Sequence, residues 1–79
     1  MVAPPQSSSE RWDAVAHAVR LADGDWVVVG DWPSSRRGGR NELVRQALAR
    51  RGLTVEVRSR RGGAPDRPWT GWRTWARMQ

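Results

Sequence analysis

Apolar residues recur at helical spacing in two stretches of this chain and at strand spacing in three. Trp12, Val15, Ala16 and Val19 fall at i, i+3, i+4 and i+7, while Arg11, Asp13, His17 and Arg20 lie off that stripe. The pattern predicts a helix over about residues 10–22, ended by Gly24, which accepts a left-handed backbone. Ser7 and Glu10 have the S-x-x-E spacing of a capping box at its start, with Ser8 and Ser9 as alternative caps. Val27, Val28 and Val29 are β-branched and predict a first strand over residues 26–32, which Pro33 closes by removing a backbone donor. Leu43, Val44, Ala47 and Leu48 make the apolar face of a second helix. Glu42, Arg45, Gln46 and Arg50 make its wet face, and Gly52 ends it. Leu53, Val55 and Val57 then alternate with Thr54, Glu56, Arg58 and Arg60, as in a strand with one buried face.

Residues 61–68 are turn-rich, and the last stretch reads two ways. Trp69, Trp72 and Trp75 recur every three residues, as on a helix. Trp72, Thr74, Ala76 and Met78 alternate with Arg73, Trp75 and Arg77, as in a strand. The alternation and the preceding loop favour a third strand, antiparallel to the second. The predicted order is α-β-α-β-β, an α+β fold: a small three-stranded mixed sheet with two helices packed on one face. A strand-helix-strand crossover makes the first two strands parallel, and the third pairs beside or between them. The uncovered face then carries Glu56, Arg58, Arg60, Arg73 and Arg77. Residues 1–9 read as a disordered Pro/Ser tail and residues 10–79 as one small domain.

Composition changes this picture in two ways. A chain of 79 residues buries only about 60% of its unfolded surface, and without cysteine no disulfide adds to the core. Six Trp stand in for the missing Phe and Tyr, and Trp12 and Trp26 are the expected core members. Self-association into a homo-oligomer is another way to enlarge so small a core. Charge is divided along the chain. Residues 1–35 carry two Arg against five acidic residues, a net of −3; residues 36–79 carry twelve Arg against three, a net of +9. All fourteen cations are Arg and none is Lys, so coding bias is one source of the count. The asymmetry still suggests an anionic partner. No apolar run approaches the roughly 20 residues of a membrane span, and the N-terminus has no secretory pattern. The expected location is the cytoplasm.

The candidate binding chemistry sits in two places. Ser34, Ser35, Arg36, Arg37, Gly38, Gly39 and Arg40 follow a predicted strand end and open a helix, where free N–H groups and the helix dipole favour phosphate. The spacing matches neither a P-loop nor a dinucleotide fingerprint. The competing reading is a solvated loop. Arg58, Arg60, Arg61 and Arg73, on the open sheet face and its hairpin, form a second group able to follow a nucleic-acid backbone; a plain Arg-rich surface is the alternative. Catalysis has little to stand on: His17 is the one His, and no metal-ligand spacing occurs. Asp31 with Glu56-Val57-Arg58 has the outline of a nuclease D…ExK set, but Arg cannot act as a base.

The G-D-W-V-V-V strand, S-x-R-x-x-G-R loop, amphipathic helix ending in R-G, L-T-V-E-V-R strand and closing W-R-T-W-A-R-M resemble small uncharacterised proteins of actinobacteria and their phages. That resemblance spans about residues 10–78 and implies a strand-helix-strand-strand module, and for a phage product the host cytoplasm. The expected function is a small basic nucleic-acid-binding accessory protein, for DNA or RNA, neither an enzyme nor cofactor-dependent. The alternative is an interaction module for an acidic protein surface.

Overall fold

The computed structural model describes residues 8–32, 40–62 and 71–79. Helix α1 spans Ser8–Ala22, strand β1 Val27–Trp32, helix α2 Asn41–Ala49, strand β2 Val55–Arg61 and strand β3 Trp72–Met78. The α+β class and the α-β-α-β-β order are those the hydropathy pattern predicts. Helix α1 begins two residues before the predicted start, so Ser9 lies inside it rather than capping it. Ser7, half of the predicted capping box, lies outside the described residues.

The strands run in the order β1-β3-β2. The crossover through α2 leaves β1 and β2 pointing the same way, and β3 fits between them antiparallel to both. Every ladder is therefore antiparallel, and the parallel ladder implied by a mixed sheet does not form. The last stretch is a strand because it has two edges to pair with; a lone terminal helix of that length has little to hold it.

Both helices cover one face. Ala16 and Val19 from α1 and Val44 and Leu48 from α2 meet Val29, Leu53, Val55, Val57 and Ala76 in one buried cluster. Leu48, Val19 and Val44 are fully enclosed, each stabilising the fold by about 1.5–3 kcal/mol. Trp12 and Trp32 pack against the rim of this cluster, their ring centroids 6.4 Å apart.

Helix α2 ends on a left-handed Gly52 at φ 78°. The Gly52 N–H donates to the Ala49 carbonyl and the Leu53 N–H to the Leu48 carbonyl, both at 3.0 Å. This satisfies two carbonyls left over by the helix and turns Leu53 back onto Leu48. Arg51 then joins the helices. Its Nε donates to Asp13 Oδ1 at 2.5 Å, and its Nη2 donates to the Ser9 carbonyl at 2.9 Å.

Candidate nucleic-acid interface

A β-bulge in β1 decides which side chains reach the uncovered sheet face. Val28 lies opposite Trp75 and Gly30 opposite Thr74, so Val29 is the extra residue. Two residues against one put both Val29 and Gly30 on the helix side and restore alternation afterwards. Asp31 consequently turns to the open face, opposite Arg73, and Trp32 turns to the core. Without the extra residue the parity reverses and a carboxylate points at the core.

Three rows cross the open face. Asp31, Arg73 and Arg60 form one and Val28, Trp75 and Arg58 the next. Glu56 and Arg77 form the third, with Trp26 lying beside them, just before β1. Arg73 grips Asp31 through Nε at 2.8 Å and Nη2 at 3.1 Å. These hydrogen bonds hold the Asp31 carboxyl below the usual carboxylate range and raise the Arg73 guanidinium above its ordinary value. Arg77 contacts Glu56 at 2.9 Å and Arg58 reaches the same carboxylate at 3.5 Å. Arg77 and Arg58 also lie 4.5 Å and 5.2 Å from the centroid of Trp26. Arg60 has no ion pair among the described residues. Four guanidinium groups thus meet two carboxylates, and the surplus is concentrated on β2. Between these side chains lies a groove of about 350 Å³ lined by Trp26, Arg58, Ser59, Arg60 and Trp75.

The predicted site residues are divided between faces. Arg58, Arg60 and Arg73 come together on the open face. Arg61 shares a row with Trp72 and Trp32, so it belongs to the helix side, exposed at the end of β2. Arg40 also lies on the helix side, 5.6 Å from the Trp32 ring centroid, with Arg11 at 5.3 Å. Ser34, Ser35, Arg36, Arg37, Gly38 and Gly39 lie outside the described residues. Trp26, expected in the core, is instead half-buried on the open face, two residues before Val28 and on the same side of the chain, with two guanidinium groups over its ring.

The end of β1 and the start of α2 are tied together across the sheet. The Trp32 Nε1–H donates to Thr74 Oγ1 at 2.8 Å, and Thr74 and Ser59 hydroxyls meet at 2.7 Å. Ser59 gives its one proton to Asn41 Oδ1, so Thr74 is the donor to Ser59. This relay crosses all three strands and ties Trp32 to the first residue of α2. Thr74 is wholly buried, yet no buried side-chain nitrogen or oxygen lacks a partner among the described residues. Nothing in the one-dimensional pattern marks Thr74; only the register shows that it faces Trp32 and Ser59.

No group of three or more His, Cys, Asp or Glu able to hold a metal occurs among the described residues. No helix there is long and apolar enough to cross a membrane. The fold and site define a small α+β domain with one sheet face buried under two helices and the other lined by Arg and Trp. No family model, no curated protein and no solved structure matches the chain.

Proposed function

We propose that this is a small basic nucleic-acid-binding accessory protein that engages DNA or RNA on the uncovered face of its sheet. The observation that carries the reading is the groove between Trp26 and Trp75, edged by Arg58 and Arg60. Aromatic faces and guanidinium groups side by side suit a polymer of bases and phosphates. The ion pairs on this face do not oppose the reading. Their Arg partners are exposed to solvent and Glu56 is half-buried; pairs open to water stabilise a fold by only about 0–1 kcal/mol, so a phosphate competes well for Arg58, whose contact with Glu56 is the longest at 3.5 Å. Such a protein acts in the cytoplasm, that of the host for a phage product.

Titration of labelled DNA and RNA oligonucleotides at several salt concentrations tests the proposal. Affinity falls as salt rises, with a slope set by the phosphates neutralised. Joint substitution Arg58→Ala and Arg60→Ala flattens that slope. Absence of binding to every oligonucleotide at low salt refutes the proposal.

One observation favours a second reading. Val28 is 50% exposed beside Trp75, which gives the face an apolar centre with an ion-paired rim. This is the anatomy of a protein interface, with an acidic partner surface as its complement. Pull-down from nuclease-treated extract separates the readings: partners that survive the nuclease favour the second. Light scattering reports whether the partner is another copy of this chain.

A further inference from the structure

We infer that the strand bound on the open face is unpaired, with one base laid against the Trp75 indole and the adjoining phosphate held by Arg60. The inference rests on the nucleic-acid reading above and specifies its ligand.

The two indoles of the groove are not equivalent. Trp26 is already covered by the guanidinium groups of Arg77 and Arg58. Trp75 has no ring or guanidinium partner among the described residues, although it stands at the middle of the face on the central strand. Its row neighbours are Val28 and Arg58, so one side of the groove is apolar and the other cationic. A planar base fits that setting, since every base presents a π-face whatever its sequence.

The cations are not equivalent either. Arg73 is committed to Asp31 by two hydrogen bonds, and Arg77 to Glu56 by Nε and Nη2 contacts at 2.9 Å. Arg60 has no such commitment among the described residues, and it lines the same groove as Trp75. Arg58 and Arg60 project from one face of one strand, about 6.6 Å apart along it, and offer successive cations to an extended backbone. A duplex uses only half of this surface. Its base faces are stacked on each other, so it meets the sheet through phosphates and leaves Trp75 without a partner.

Fluorescence anisotropy of the whole protein with labelled oligonucleotides tests the inference, using dT and U homopolymers of about 12 nucleotides and a duplex of equal length. Unpaired strands bind about ten-fold or more tightly than the duplex at the same salt, the difference being the stacked base. Trp75→Leu keeps the apolar bulk but removes the ring, and it weakens unpaired-strand binding by roughly 5- to 150-fold, a larger loss than it causes in duplex binding. Trp75→Phe retains most of the affinity. Arg60→Ala lowers the salt slope by about one. The dT and U arms distinguish a DNA from an RNA ligand. Equal binding of strand and duplex, with Trp75→Leu behaving as wild type, overturns the inference and leaves phosphate binding intact. Binding of neither form at low salt overturns the nucleic-acid reading together with it.

Discussion

Gly30 is the residue at which the bulge, the core and the candidate interface constrain one another. A Cβ at this position lies 2.9 Å from Trp32 Cζ2 and 3.2 Å from Arg11 Nη2. Arg11 is flexible and moves aside. Trp32 does not, because its N–H is bonded to Thr74 and its ring packs on Trp12. Gly30→Ala is therefore expected to destabilise the fold by about 1–3 kcal/mol, read as a lower midpoint in urea; an unchanged midpoint contradicts the packing described. Asp31, the next residue, gives a pH signature. Its folded pKa lies below the unfolded value because Arg73 hydrogen-bonds the carboxylate. The stabilisation is thus present above the ordinary carboxylate pKa of about 4 and is lost as pH falls through the lower folded value. Asp31 is exposed, so the effect is small, and Asp31→Asn shows a shallower acid loss of melting temperature than wild type. The same substitution frees Arg73, and oligonucleotide affinity at low salt rises. Side-chain direction on β2 is legible from alternation alone, which places Arg58 and Arg60 on the open face. Arg61, which the sequence reads as the start of the hairpin loop, is instead the last residue of β2, because the ladder with Trp72 runs one residue past the last clear alternation. Asp31 takes its outward placement from the bulge, which leaves no trace in the hydropathy pattern, and Trp26 shares the side of Val28, which the apolar run of residues 27–29 does not distinguish.

At the scale of elements, β3 organises the sheet. It is central, pairs along its length with both neighbours and carries Ala76 and Thr74 inward and Trp75 outward. Its sequence supports both a three-residue Trp repeat and a two-residue alternation, and pairing decides between them. Helix α2 depends on packing rather than propensity, since nine residues are too few for an isolated helix in water. Leu48 is its fully buried anchor and also receives the Leu53 N–H that ends it. Leu48→Ala is expected to cost about 2–5 kcal/mol, measured by denaturant unfolding. That loss in a 79-residue domain leaves little folded protein. A cost below 1 kcal/mol, well short of the usual range for such a deletion, contradicts the enclosed position of Leu48. The exposed ion pair between Arg45 and Glu42 on the same helix contributes far less. Gly24 and Gly52 were legible as helix ends because a left-handed glycine after a helix is a local signal, whereas the N-termini were not: α1 starts two residues early and no side chain caps α2. The order β1-β3-β2 was open in the sequence because nothing local says whether a closing strand joins an edge or enters the gap between two parallel strands.

At the scale of the molecule, two opposite charge halves fold into one domain with two unlike sheet faces. The acidic N-terminal part lends Asp31 to the open face and Asp13 to Arg51, so part of the Arg excess is answered within the chain. What is left over among the described residues includes Arg60 on β2, beside two indoles, and Arg11 and Arg40 on the helix side. In the proposed function, nucleic acid binds the open sheet face and not the helix side. Two-dimensional NMR of the labelled protein titrated with an unpaired oligonucleotide tests it most directly, because each indole N–H gives its own signal. The Trp26 and Trp75 indole signals and the Arg58 and Arg60 amides are expected to shift together, while the Trp32 indole, bonded to Thr74 in the core, stays in place. Shifts confined to Trp12, Trp32 and the α2 amides, or no shift at all, contradict it.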